Sequence, residues 1–364
     1  MSGSTRLPAS LAKASARVGA STLSRHLLVA ALGLVVVVLV LESTSAFRNG
    51  QFASMAYLGI AAGGLTVLTG LNGQLSLGHG AFMAIGAYTT ALLFQDTETP
   101  LPLVGVLLAA TAVTLVVGAV VGVAAARLHG PYIAGATLAL AIAVPGIALF
   151  FNDTLGGEQG LNVLVPDIPD WFADAVYFVT ANDMTSSRYI GYIGWLSLIV
   201  TFVLLANLSR SRVGRIWRAV RDDEVAAEIA GVNLGRARVL AFVVSAGCAG
   251  LAGGVMAMAV RITAPSGFTL TLSLTLLTAV VLGGLGSLLG ALIGAALLTF
   301  LPQVVTGFGR NAGLDDLQAA ELAPLVYGLT MVLVILLAPA GIVGTLRDVW
   351  HRRNRHQESA EREG

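Results

Sequence analysis

The sequence predicts an all-α integral membrane protein, and its composition, hydrophobic segments and loop charges each support this fold class. Of the 364 residues, 56% are hydrophobic and only 11% are charged, whereas a soluble globular domain has roughly 25% charged residues. Glycine is frequent, with 43 residues, and small residues let membrane helices approach closely. We therefore expect a polytopic helical bundle in which glycine serves mainly helix packing.

The hydrophobic segments account for about ten transmembrane helices, because a span needs about 20 mostly apolar residues. The predicted spans are residues 27–45, 52–71, 79–95, 101–126, 131–151, 189–208, 239–260, 267–282, 284–306 and 322–342. Whether the short segment 267–282 crosses the membrane or is re-entrant stays open. Residues 1–26 form a basic N-terminal segment, 27–342 the transmembrane domain, and 343–364 a tail that we expect to be disordered. An uncleaved first span is favoured over a cleaved leader.

The central segment, residues 209–238, orients every loop. Its arginines are Arg210, Arg212, Arg215, Arg218, Arg221, Arg236 and Arg238. Because Arg-rich segments beside spans are retained in the cytoplasm, this segment is predicted to be cytoplasmic. The other basic residues are then also predicted to be cytoplasmic, except four that fall on the outer side: Arg48, Arg188, Arg261 and Arg310. We expect an even number of spans, cytoplasmic N- and C-termini, and an acidic outer segment at 152–188.

The charges exclude several functional classes. The apolar cores of the spans contain no Asp, Glu, Lys or Arg, although ion-coupled transporters usually need such groups in the membrane. His79, at the start of a span, is predicted to be neutral and bonded to a backbone carbonyl, with a proton relay as the alternative. The net charge of +1 does not indicate nucleic-acid binding. No metal site and no organic cofactor are suggested.

The chain is predicted not to be an enzyme, because it lacks the phosphate-binding loop of ATPases. That loop needs a Gly-Lys-Ser/Thr core, and the only lysine, Lys13, lies between two alanines. If ATP drives this protein, a separate chain must bind the nucleotide and dock on a cytoplasmic surface.

The acidic middle of the central segment predicts a short helix suited to docking. Asp222 or Asp223 can cap its start, and Gly231 or Asn233 can end it. Apolar residues follow at helical spacing: Val225, Ile229 and Val232. This stripe fits a groove on a partner protein, and it equally fits a helix lying on anionic lipid.

Four blocks of the sequence carry a family resemblance: RDDEVAAEIAG at 221–231, GLNGQLSLGHGAFMAIGAY at 70–88, VLGGLGSLLGALIGAALL at 281–298 and NDTLGGEQGL at 152–161. Together they resemble the branched-chain amino acid ABC-transporter permeases of the LivM type. The first block is similar to the Glu-Ala-Ala…Gly coupling loop of bacterial importers, although the order here is Ala-Ala-Glu. Together the blocks extend across most of residues 50–342.

This resemblance implies the permease subunit of an ABC importer in the bacterial cytoplasmic (inner) membrane, carrying branched-chain or related amino acids. It also implies a homologous permease subunit, two cytoplasmic ATP-binding subunits, which bind the ATP, and an extracytoplasmic solute-binding protein. The residues expected to couple the chain to the ATPases are Arg221, Asp222, Asp223, Glu224, Glu228 and Gly231. The alternatives are transport of urea or short-chain amides, a passive small-solute channel, or a scaffold that transports nothing.

The segment 72–80 is the predicted substrate pathway. Free backbone N–H groups at a helix start near Gly78 could meet a substrate carboxylate without any buried charge. The residues expected there are Gly73, Gln74, Ser76, Gly78, His79 and Gly80. The alternative, that these glycines only pack helices, stays open.

Overall fold

The computed structural model describes residues 22–95, 101–128, 132–165, 167–338 and 341–346. The longer helices are α1 Thr22–Ser43, α2 Ala46–Leu65, α3 His79–Leu93, α4 Leu103–Ala126, α5 Tyr132–Phe150, α7 Asp170–Thr180, α8 Ser186–Arg210, α9 Arg212–Asp222, α11 Leu234–Val260, α12 Leu270–Gly283, α13 Leu288–Asn311 and α14 Asp316–Leu337. The short helices are α6 Asn152–Leu155 and α10 Glu224–Ile229. Most of the predicted N-terminal segment 1–26 and of the tail 343–364 lies outside the described residues.

Nine of the helices in the described residues are long and apolar enough to cross a membrane. They confirm the predicted all-α, multi-pass membrane protein. The predicted span 79–95 is different, because α3 has only 15 residues and is about 22 Å long. His79 at its start lies 3.0 Å from the carbonyl oxygen of Ala61, which is near the middle of the span Ala46–Leu71. This crossing is therefore discontinuous, with a non-helical segment followed by a helix that begins within the bundle.

Contacts between chain segments define the two ends of the bundle. At one end, Arg221 of the central segment contacts Gly70, and His26 bonds Asn207 at 2.8 Å. Gly341 packs against Gly284 at the same end. Both described termini thus lie at the central-segment end, as an even number of crossings requires. That this end is cytoplasmic stays a prediction.

The opposite end is closed by a short sheet. Strand β1, Leu161–Asn162, pairs antiparallel with β2, Ile262–Thr263. The neighbouring amide of Leu164 donates to the carbonyl of Phe94 at 3.2 Å. Because β2 lies at this end and Gly286 packs on Gly70 at the other, the segment that includes 267–282 crosses the bundle rather than turning back. Its helix α12 is preceded by a 3₁₀ turn, Pro265–Phe268.

Helix α11 forms the centre of the bundle and packs against α2, α3 and α4. Glycine makes this packing close: a Cβ on Gly253 would overlap the carbonyl of Met83 in α3, and one on Gly86 would overlap the backbone of Gly250. On α4, a Cβ on Gly118 would overlap the side chain of Ala246. These contacts support the predicted use of glycine in helix packing.

The central segment is mostly helical, although its charge predicted a loop. Helix α8 continues to Arg210 and α11 begins at Leu234, so both ends of the predicted segment 209–238 belong to membrane helices. Between them lie two helices, α9 and α10, separated by Asp223. The 152–188 segment likewise contains a helix, α7, whose Phe172 packs edge-on against the rings of Tyr189 and Tyr192.

Candidate functional site

Helix α9 is an amphipathic helix laid across the end of the bundle. Ser211 caps it by accepting hydrogen bonds from the amides of Val213 and Gly214, which otherwise lack helical partners. Trp217 is fully buried, and its indole Nε1–H donates to the carbonyl of Ala237 at 2.9 Å. The buried face of α9 therefore ties the central segment to the first turn of α11, while Arg212, Arg215 and Arg218 remain exposed.

The last turn of α9 makes a second attachment through Arg221. Its guanidinium donates a hydrogen bond to the carbonyl oxygen of Gly70. Gly70 belongs to a π-helix, Thr66–Leu71, that continues α2, and such wide turns are frequent at functional sites. Arg221, predicted to couple the chain to the ATPases, thus directs its head group toward the bundle, while its side chain stays 43% exposed.

Helix α10 has a defined start and end. Asp223 has extended backbone, and its carboxylate accepts from the amide of Ala226 at 3.0 Å, so Asp223 rather than Asp222 is the cap. Gly231 ends the helix with a φ of +86°, which glycine adopts without strain. The amide of Val232 then donates to Ala227 and that of Gly231 to Glu228, which is the Schellman arrangement. The predicted helix thus begins at Glu224.

An ion pair anchors the first turn of α10 to the membrane helices. Arg238 of α11 lies 2.6 Å from the carboxylate of Glu224. Arg238 is 2% exposed, whereas the side chain of Glu224 is 48% exposed. The other terminal nitrogen of Arg238 donates weakly to the carbonyl of Leu128, after α4, at 3.4 Å. Because loss of the carboxylate would leave the buried guanidinium without its counter-charge, Glu224 ties α10 to α11.

Exposed residues at the end of α9 and along α10 form a surface that we call the docking surface: Asp222, Val225, Glu228 and Ile229. Val225 is 67% and Ile229 83% exposed. Val232, the third residue of the predicted apolar stripe, is instead partly buried against the core. The docking surface is therefore an apolar pair flanked by carboxylates, on a helix that is fixed at both ends.

The segment 72–78 meets the helix start of α3, as the sequence analysis expected. The backbone N–H groups there already have partners: Leu77 donates to Thr137 Oγ1 at 3.0 Å, and Gly80 donates to Ser273 Oγ at 2.9 Å. The amide of Gly78 bonds Ser76 more weakly, at 3.4 Å. In this conformation these amides are occupied by side chains of the protein.

The glycines of this segment lie against other chain segments. A Cβ on Gly78 would overlap the carbonyl of Thr137, and one on Gly80 would lie 2.9 Å from Ser273 Oγ. Gly73 has a φ of +78° and lies against the side chain of Arg221. Close packing of the protein therefore accounts for small residues at all three positions.

Several side chains of the segment are buried without hydrogen-bond partners among the described residues. They include the side-chain oxygen and nitrogen of both Asn72 and Gln74. His79 is fully buried, with Nε2 donating to the carbonyl of Ala61, and this geometry is the carbonyl-bonded arrangement predicted from sequence. Its Nδ1 has no partner in the described part of the chain. Uncharged polar groups therefore lie inside the bundle close to the discontinuous crossing.

Sequence reasoning missed the contacts that anchor the central segment. The buried face of α9 has a visible signal, because Val213, Trp217 and Val220 recur at i, i+4 and i+7. The bonds from Arg221 and Arg238 have no such signal, since their partners lie far away in the chain. Within the described residues, no three His, Cys, Asp or Glu side chains are grouped to hold a metal ion.

Comparison with known proteins gives a consistent result along most of the chain. Residues 50–335 match the family described as "Branched-chain amino acid transport system / permease component". The chain is 32% identical to the high-affinity branched-chain amino acid transport system permease protein LivM of Salmonella typhimurium, over 82% of this chain and 70% of the relative.

Two other relatives differ in identity and coverage. The high-affinity branched-chain amino acid transport system permease protein BraD of Pseudomonas aeruginosa is 29% identical over 81% of this chain and 94% of its own. The autoinducer 2 import system permease protein LsrC of Klebsiella pneumoniae is 30% identical over 50% of this chain and 54% of its own. No solved structure matches the chain.

Proposed function

Because this chain belongs to the family of branched-chain amino acid transport system permease components, we propose that it carries branched-chain or related amino acids and is driven by separate ATPase subunits. It is a multi-pass membrane protein and a transport subunit rather than an enzyme. The family match over residues 50–335 supports the solute class. Since one relative is named as a permease for autoinducer 2, the solute has to be tested directly.

The observation that carries the ATPase part of this proposal is the exposed apolar pair of the docking surface. Val225 and Ile229 lie one helical turn apart and face away from the bundle. An amphipathic helix of this kind fits an apolar groove on a partner. The ion pair between Glu224 and the buried Arg238 supports a fixed orientation of α10. We propose that an ATP-binding subunit receives this surface on the cytoplasmic side.

The remaining partners follow from the family. We propose that a homologous permease completes the membrane unit, that two ATP-binding subunits power it, and that an extracytoplasmic solute-binding protein delivers the solute. In this scheme the ATPases displace α10 as they close, and the membrane helices open toward the other side. Membrane lipid surrounds the exposed apolar faces of the outer helices.

Uptake by the reconstituted transporter tests this function. The chain is co-expressed with the transport subunits of its own organism and placed in vesicles that contain ATP or no nucleotide. We expect ATP-dependent uptake of radiolabelled leucine that exceeds the uptake of urea and acetamide. Preferred uptake of urea or acetamide would assign the amide alternative, and equal uptake without ATP would identify a passive channel.

The substrate pathway predicts an effect of Gln74. Its side-chain amide is buried without a partner among the described residues, and leaving such a group unpaired costs about 1–3 kcal/mol of stability. We propose that it contacts the solute during transport. Gln74→Ala should then leave thermal stability unchanged or higher and reduce uptake roughly three- to tenfold, the effect of one hydrogen bond.

The matched control for this prediction is Gln303→Ala, the same change at an exposed position of α13. Uptake kinetics and thermal unfolding are measured on the same purified samples. A Gln74→Ala transporter with wild-type kinetics would remove the residue from the pathway.

A further inference from the structure

One side chain, Arg221, joins the docking surface to the discontinuous crossing. Its guanidinium bonds the carbonyl of Gly70 at the π-helical end of α2. Its aliphatic stem covers the start of the 72–78 segment, because a Cβ built on Gly73 would lie 3.2 Å from Arg221 Cγ. The same residue therefore contacts both the helix before the break and the chain that follows it.

A third chain segment meets at this point. Gly70 packs so closely on the turn between α12 and α13 that a Cβ there would overlap the amide of Gly286. A Cβ on Gly286 would in turn lie 3.6 Å from Arg221 Nη1. The end of α2, the 72–78 segment and the α12–α13 turn are thus held around one guanidinium group.

The connection from Arg221 to the docking surface is short and regular. Arg221 lies in the last turn of α9, and only Asp223 separates α9 from α10. Because α10 is capped at its start and closed by Gly231 at its end, a push on Ile229 must displace the helix as a unit. The last turn of α9 must then move or bend.

We infer that Arg221 is a positioning residue that transmits displacement of the docking surface to the 72–78 segment. This inference rests on the proposed function, since the displacement comes from the ATPase subunits. It assigns Arg221 to transmission within this chain rather than to binding the partner. Loss of the guanidinium should therefore leave the ATPase bound and able to hydrolyse ATP, while less solute is transported for each ATP.

The test compares Arg221→Gln, Arg221→Lys and Arg218→Gln in the complete reconstituted transporter. Arg218 is an exposed arginine of the same helix and serves as the matched control. Leucine uptake and ATP hydrolysis are measured on the same vesicles. For Arg221→Gln we expect ATPase subunits in wild-type amounts and about five- to 150-fold less uptake per ATP, the usual range of coupling between two sites.

The conservative variant distinguishes transmission from a general loss of structure. The lysine ammonium of Arg221→Lys can still donate to the Gly70 carbonyl, so it should restore most of the uptake per ATP, and Arg218→Gln should match wild type. Unchanged uptake per ATP in Arg221→Gln, or no recovery with lysine, would overturn the inference. Loss of the ATPase from the Arg221→Gln complex would assign the residue to docking instead.

A pair of cysteines provides a second test in case Arg221→Gln does not assemble with the other subunits. The Cβ position at Gly73 lies 3.4 Å from Arg221 Cβ, close to the separation in disulfides. Because a cysteine is strained at the φ of +78° of Gly73, the Gly73→Cys single variant is measured beside the double variant Arg221→Cys, Gly73→Cys. Oxidation should raise uptake per ATP in the double variant alone, because the bond replaces the lost contact between the two positions. No change on oxidation would contradict the inference.

Two controls complete the experiment. Wild type carries one cysteine, Cys248, which is buried, so oxidant should leave its transport unchanged. If wild type itself shows no ATP-dependent uptake, the proposed function fails. If wild type shows ATP-dependent uptake and Arg221→Gln has the same uptake per ATP, the inference fails while the proposed function stands.

Discussion

Replacing Ile229 with aspartate is expected to remove the ATPase subunits from this protein and abolish transport. Ile229 is 83% exposed on the docking surface, so the change should not disturb folding. A central apolar residue of an interface contributes at least about 2 kcal/mol, or roughly 30-fold in affinity. Burying an unpaired carboxylate in the groove would add to that loss. Co-purification from detergent-solubilised membranes measures the result.

Ile229→Leu is the matched control for the docking surface, because it keeps the apolar area and adds no charge. It should retain the ATPase and most of the uptake. Two results would contradict the prediction for Ile229→Asp. One is wild-type recovery of the ATPase, and the other is weaker binding to anionic vesicles with the ATPase retained, which would place α10 on lipid.

Replacing Gly253 with alanine is expected to prevent stable folding. The added methyl group would overlap the carbonyl of Met83 and approach the amide of Ala87, and both are backbone atoms of a neighbouring helix. Overpacking usually costs about 1–3 kcal/mol and occasionally more, and here no flexible side chain can move aside. We expect a large fall in the thermal stability of the detergent-solubilised protein, or no folded protein at all.

Gly135→Ala is the matched control, since it makes the same substitution inside a helix, α5. A Cβ at Gly135 would have no neighbour within 4 Å, and alanine has the higher helix propensity. This variant should be as stable as wild type or slightly more stable. Equal stability of the two variants would show that α3 and α11 are not in close contact in the membrane.

The architecture could largely be predicted from the sequence because long apolar segments have few alternatives to membrane helices. The cap and end of α10 could also be predicted from the sequence, since Asp223 and Gly231 act on their immediate neighbours. The helix start near Gly78 was predicted, but the discontinuous crossing was not. The depth at which α3 begins depends on contacts with Ala61 and Ser273.

The anchors of the central segment could not be predicted, because they join residues far apart in the chain. Arg221 and Arg238 differ little from the other arginines in local sequence, yet one bonds Gly70 and the other pairs with Glu224. Glu42 shows the same limit at the opposite end, where it pairs with Arg188 at 3.2 Å. Long-range polar contacts give no periodic signal, whereas amphipathic helices do.

The central place of α11 has a consequence for biosynthesis. Helices α2 to α4 are made and inserted before residues 234–260 exist, although the glycines of α3 and α4 pack against α11. Strand β1 must likewise wait for β2, about a hundred residues later in the chain. Chains are synthesised from the N-terminus at about 5–20 residues per second. The early helices must therefore spend several seconds in the membrane with their glycine faces in contact with lipid or the insertion machinery.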